Sequence, residues 1–356
     1  MREAWIDRLK GILILLVVLG HAAGSAYITA PKEVRPILAY VYQAIYFFHM
    51  PAFFVVAGML WKRPDLTFGA FALKKMKRLL VPFWCFGLLS VVIYWVFAGW
   101  MAHLDGSGYW AATKGGGTWW SPFFVLATGS CFPGTDGFRC NSVLWFLPCM
   151  FMMQCCYWLV DRKPRPLGWK VALGIACLLG RPMMMRSEIN WWPAQINEVV
   201  HYLPYFLLGV MGREWLRRLE LKAPHMALLM AGYMLLAGVV PYESWRLPIG
   251  VRLIAPVGMA AMGTVVCVVV AKFCLWQLLA RFGIASLGVM LLHKFLVLAL
   301  QTLALKGPAF LRDGFWAFFM MVVAFAMAAW GSLAATRIVQ RVCPWALGET
   351  TVRRCE

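Results

Sequence analysis

Apolar stretches of about bilayer-crossing length follow one another along almost the whole of this chain. A span needs about 20 mostly apolar residues. Such stretches lie near 11–29, 37–61, 79–100, 142–160, 169–185, 197–216, 225–241, 250–271, 282–304 and 314–336. The fifth and seventh are the shortest. Backbone groups in lipid must be satisfied within the chain, and helices do this segment by segment. The expected fold is therefore an all-α integral membrane protein with about ten transmembrane helices. Of the 356 residues, 62% are hydrophobic and 14% charged. No polar region is long enough for a separate soluble domain, so residues 1–356 read as a single polytopic membrane domain.

Charge placement sets the expected orientation. The net charge is +19. In a soluble protein that excess would point to nucleic acid. Here the basic residues sit mostly in short connections between apolar stretches, which instead points to membrane topology and anionic headgroups of the membrane lipids. With the N-terminus inside, inside segments hold 23 Lys and Arg and outside segments hold 10, with Lys294 inside a span. The bias alternates loop by loop and favours an even number of spans with both termini cytoplasmic. The N-terminal run through Ile12–Leu19 to Ala22 and Ala23 resembles a signal peptide, but Glu3 and Asp7 are atypical of one. Among the cysteines there is no zinc-binding spacing, and no metal is expected. Cys131 and Cys140 bracket a Gly-rich loop on the expected outer side, where the compartment permits a disulfide.

Ionisable groups inside spans are costly and mark function by default. Lys10 and His21 are 11 residues apart, about three turns and about 16 Å along one helix face. Asp7 shares that face. A buried imidazole can take a proton from a hydroxyl and return it. It can equally be a histidine bonded to a neighbouring helix. His49-Met50-Pro51 is a second such place, because Pro51 removes a backbone donor and is expected to kink the helix and free carbonyls near His49. A third is the basic run Lys74, Lys75, Lys77 and Arg78, which is either an ordinary cytoplasmic loop or a phosphate site at a cavity mouth. The fourth is Ser286, His293 and Lys294. Adjacent helical residues point about 100° apart, so one of the pair, His293, is expected to face inward. No Walker loop is present, which argues against ATP-driven transport. Internal repeats of transporter type are not evident.

Together these regions resemble the membrane acyltransferase-3 family. The likeness rests on Lys10 through His21 in the first span and on Ile45 through Gly58, containing His49-Met50-Pro51, in the second. Arg78-Leu79-Leu80-Val81-Pro82, Leu144-Trp145-Phe146-Leu147 and Ser286 through His293 are further matches. It covers nearly the whole chain. One departure is Lys10, where many members carry Arg, since lysine lacks the bidentate fork. The resemblance implies transfer of an acetyl or other short acyl group from acetyl-CoA to a hydroxyl of a cell-envelope carbohydrate or lipid-linked glycan. It also implies a bacterial inner-membrane setting. On that reading His21 is the general base and Lys10 fixes the donor or stabilises negative charge. His49 and His293 support them, Lys75, Lys77 and Arg78 bind the CoA phosphates, and Trp145 shapes the acceptor pocket. The alternative is a transporter or flippase of an envelope molecule, in which buried histidines couple to protons.

Overall fold

A computed structural model describes residues 3–104, 121–129, 141–162, 166–186, 195–240 and 249–349. Helix is the only regular secondary structure among them. The helices are α1 (Ala4–Thr29), α2 (Arg35–Tyr46), α3 (His49–Met59), α4 (Phe68–Leu104), α5 (Ser121–Thr128), α6 (Phe146–Val160) and α7 (Leu167–Arg186). They continue with α8 (Ile196–Met211), α9 (Arg213–Arg218), α10 (Ala223–Val239), α11 (Ile249–Phe273), α12 (Gln277–Ile284), α13 (Ser286–Lys306) and α14 (Gly314–Val342).

Each of the ten predicted stretches is mostly helical in its described part, with breaks at Phe47 and Phe48, Gly212 and Ala285. Among the described residues, seven candidate spans are long and apolar enough to cross a membrane. One of these, Arg35–Met59, combines α2 and α3. The other three stretches correspond to α7, α8 and α10. The 16 residues of α8 and the 17 of α10 are short, since a helix rises about 1.5 Å per residue against a hydrocarbon core of about 30 Å. The 20 residues of α7 include Lys170, Arg181 and Arg186. The chain is thus a multi-pass membrane protein. Cys131 and Cys140 lie outside the described residues, as does the Gly-rich loop they bracket.

Helix α1 runs through the bundle and packs against α2, α11, α12, α13 and α14. It ends where Ala30 turns to extended backbone before Pro31, the residue before proline being disfavoured in helical conformation. Two crossings are set by paired glycines. A Cβ on Gly11 would collide with the Leu279 carbonyl, and one on Gly283 with the Asp7 carbonyl. Helices α1 and α12 therefore touch backbone to backbone at the turn that carries Asp7 and Lys10. The same reciprocity joins α3 to α8. There a Cβ on Gly58 would meet the Phe206 carbonyl, and one on Gly209 the Val55 carbonyl. Without a hydrophobic drive between helices in lipid, such close approach is a main source of association.

The second span is broken. Phe48, at φ −133°, separates α2 from α3, so Pro51 sits in the first turn of a new helix rather than inside a kinked one. Polar ties hold this broken span to α10. Gln43 Nε2 donates to the Ala237 and Val240 carbonyls at 2.6 and 2.7 Å. Tyr233 Oη donates to the Ala44 carbonyl. Around these helices lie two main apolar cores. One centres on Phe54, Tyr205 and Phe206, the other on Phe83, Leu291 and Phe282.

Candidate functional site

A cavity of about 750 Å³ opens between α1, α3, α4, α6 and α13, within the usual range of small-molecule sites. Its wall includes Lys10 and His21 of α1, so the shared face read from their spacing is turned toward one space. It also includes Tyr46, His49, Trp145, Tyr202 and Gln154. At one end stand the cations Lys62, Lys74, Lys75 and Arg78. The cavity is therefore basic at one end and histidine-lined at the other.

Helical geometry sorts the basic run. Lys74, Lys75 and Arg78 line the cavity, whereas Lys77 does not and is exposed. At about 100° per residue, Lys77 points about 160° away from Lys75. Lys75 Nζ lies 5.4 Å from the centroid of the Phe71 ring, a cation–π contact. Other basic residues have structural employment. Arg8 Nε donates to the Ala271 carbonyl at 2.8 Å and Arg213 Nε to the Met59 carbonyl at 2.7 Å. Lys272 Nζ donates to the Arg217 and Leu219 carbonyls, both at 2.7 Å. Charges of this kind at helix C-termini satisfy carbonyls that the helix leaves open. Arg217 pairs with Glu3 at 2.7 Å. Lys10 pairs with Asp7 at 3.3 Å, and the Asp7 side chain is only 7% exposed.

Three histidines meet at the other end. The His21 and His293 rings are 5.2 Å apart. Tyr46 bridges the remaining pair, with its ring 6.0 Å from that of His21 and 4.7 Å from that of His49. His49 Nδ1 donates to the Ile45 carbonyl and His293 Nδ1 to the Val289 carbonyl, each at 2.9 Å. A carbonyl can only accept, so both rings carry their hydrogen on Nδ1 and keep the lone pair on Nε2. His49 is almost wholly buried yet lines the cavity. His293 is fully buried behind His21, and its Nε2 has no hydrogen-bond partner among the described residues.

Neither His293 nor Lys294 is in the cavity wall, so His293 does not face it as expected; both approach His21 instead. Lys294 Nζ reaches to 3.4 Å from His21 Nδ1, while the His293 ring lies tilted against the same ring. The 100° between them is bridged by the reach of lysine's four carbons. Lys294, marked out by its cost inside an apolar helix but given no role beside His293, thus reaches the His21 ring. The sequence assigns Tyr46 no role either. Its hydroxyl lies 3.2 Å from His21 Nδ1. Trp145 stacks on Tyr202 with centroids 5.4 Å apart, and Tyr202 stacks in turn on Phe54 at 4.4 Å. That column fixes the aromatic side of the cavity. Gln154 lines it too, and its Oε1 is buried with no partner among the described residues. No group of three or more His, Cys, Asp or Glu able to hold a metal ion occurs among the described residues.

The sequence profile of a family described as "Acyltransferase domain", the acyltransferase-3 type, matches residues 3–337. Nodulation protein NolL of Sinorhizobium fredii (strain NBRC 101917 / NGR234) is 36% identical over 88 residues, 24% of this chain. The chain spans about a quarter of that relative's length, 24%. No solved structure matches the chain.

Proposed function

Because this chain belongs to the acyltransferase-3 family, we propose that it moves an acetyl or other short acyl group from acyl-CoA to a hydroxyl of an envelope carbohydrate or glycolipid. The observation that carries this reading is the single cavity with cations at one end and histidines at the other. A CoA thioester has the same polarity, with phosphates at one end and the reactive carbonyl at the other. Lys62, Lys74, Lys75 and Arg78 would receive the phosphates through charge-assisted hydrogen bonds. This end faces the cytoplasm, where acetyl-CoA is made, in a bacterial inner membrane crossed about ten times with both termini inside. Lys77 is set aside from the phosphate site, and Lys74 and Lys62 take its place.

The pantetheine arm then runs along α1 toward His21. The acceptor hydroxyl enters the histidine end beside Trp145 and Tyr202. His21 Nδ1 is engaged by Tyr46 and Lys294, which leaves Nε2 for the hydroxyl. Nε2 takes the hydroxyl proton as the oxygen attacks the thioester carbonyl. The carbon–sulfur bond then breaks, and the CoA thiolate takes the proton back. General base catalysis of this kind contributes about 10²–10⁴-fold. Lys10 sits about three helical turns from His21. It therefore acts on the donor's arm or phosphates rather than on the reacting carbonyl. His49 Nε2 offers a second acceptor on the same wall, suited to orienting the acceptor's hydroxyls. His293 backs the His21 ring.

The test is acyl transfer itself. Membranes bearing the protein are given acetyl-labelled acetyl-CoA, and envelope glycans are analysed by mass spectrometry against a deletion strain. Label on a glycan hydroxyl, absent from the deletion strain, is expected. Movement of an unmodified glycan across the membrane, without consumption of acetyl-CoA, would show a transporter instead.

A further inference from the structure

His21 differs from the two histidines beside it in what holds its Nδ1. His49 and His293 give their Nδ1 hydrogen to carbonyls, which fixes their tautomers. His21 Nδ1 faces two side chains, the Tyr46 hydroxyl at 3.2 Å and the Lys294 amine at 3.4 Å. A tyrosine hydroxyl can donate or accept. A lysine ammonium has three donors and no acceptor, whereas the neutral amine has a lone pair. So the state of Lys294 has a direct consequence for His21. While the ammonium donates to Nδ1, the hydrogen must sit on Nε2, and Nε2 cannot take a hydroxyl proton. Once Lys294 has shed its proton, Nδ1 can carry the hydrogen and Nε2 becomes the base.

The surroundings of Lys294 allow both states. It lies half-buried in the apolar span Ser286–Leu305. Among the described residues no carboxylate forms an ion pair with it, since Asp7, Glu3 and Glu214 pair elsewhere. An unpaired ammonium within a span is expensive. Lysine, unlike arginine, can release its proton when buried.

We propose that Lys294 is a positioning residue that decides which nitrogen of His21 is basic, and that its amine receives the Nδ1 hydrogen as Nε2 takes the acceptor's proton. The proposal rests on the acyl-transfer reading. The proton balance closes. The hydroxyl proton goes to Nε2, and the Nδ1 hydrogen moves to Nζ. When the carbon–sulfur bond breaks, the thiolate collects the Nε2 hydrogen and Nζ returns its proton to Nδ1. Lys294 ends the cycle as the neutral amine with which it began.

The experiment compares the full chain with Lys294→Met and Lys294→Arg, measuring kcat and KM for acetyl-CoA. Both variants are expected to lose kcat by about 100-fold, the lower range for general base catalysis, with KM changed by less than about twofold. Arginine keeps the length and the charge but only donates. A residue needed merely for packing or for positive charge would be rescued by Lys294→Arg, and wild-type kcat in that variant overturns the proposal. A second readout is the ¹⁵N spectrum of histidine-labelled wild type at a pH that supports activity, with the His21 signals identified by their loss in His21→Gln. Hydrogen on Nδ1 is expected, and hydrogen held on Nε2 throughout overturns the proposal even if neither variant folds. If wild type itself transfers nothing from acetyl-CoA, the acyl-transfer reading falls, an outcome separate from either result at Lys294.

Discussion

The two ends of the cavity are built in opposite ways. At the histidine end each group is fixed by a specific partner. His49 and His293 are pinned to carbonyls of their own helical turns or the turn before, and His21 is gripped between Tyr46 and Lys294. At the basic end, Lys62, Lys74 and Arg78 are exposed, and Lys75 alone of the four is half-buried. The difference teaches how each end can work. Long exposed cations can share a flexible, highly charged ligand, and the loss of one is softened by the rest. A proton transfer needs one geometry and has no substitute.

Mutagenesis can break that comparison. His21→Ala is expected to lower kcat by about 10²–10⁴-fold while leaving KM for acetyl-CoA near its wild-type value. Steady-state kinetics in membranes checks this, and a pure KM effect would place His21 at the donor instead. The frame that aligns the two ends is the next target. Gly58→Val puts a branched side chain against the Phe206 carbonyl, and overpacking of this kind costs about 1–3 kcal/mol or more. The yield of folded protein, read by size-exclusion chromatography, should fall sharply. Unchanged yield would mean that α3 and α8 do not cross as closely as described.

Smaller effects sharpen the contrast. Lys75→Ala with Arg78→Ala should raise KM for acetyl-CoA by roughly tenfold or more, taking about 1.5 kcal/mol for a hydrogen bond to a charged group. The increase should steepen as salt is lowered, since exposed charges are screened. Smallest of all is Lys77→Ala, for which a change under about twofold is expected because its side chain points away. A larger effect there than at Lys75 would invert the assignment of the basic face.

Much of this arrangement is legible in the sequence because apolar length and helical period are strong constraints. The helical stretches follow from runs of Leu, Val, Phe and Ala that only a helix can carry through lipid. The common face of Lys10 and His21 follows from their 11-residue spacing. What the sequence does not show depends on contacts between distant segments. Nothing local tells that Gly11 meets Leu279, or Gly58 meets Phe206. The convergence of His293 and Lys294 on His21 is likewise not legible from backbone angle, which does not register how far a lysine reaches. The break before His49 also goes unread. Proline predicts a disturbance there, yet whether the helix bends or ends is decided by the packing of α2 on α10 and of α3 on α8.

The central claim is that donor binding and proton transfer occupy opposite ends of one cavity and can be separated. Titration of labelled acetyl-CoA onto purified His21→Ala protein tests it most directly. The account predicts binding at wild-type affinity with acetyl transfer slowed by about 100-fold or more. Loss of binding, or transfer at the wild-type rate, would contradict it.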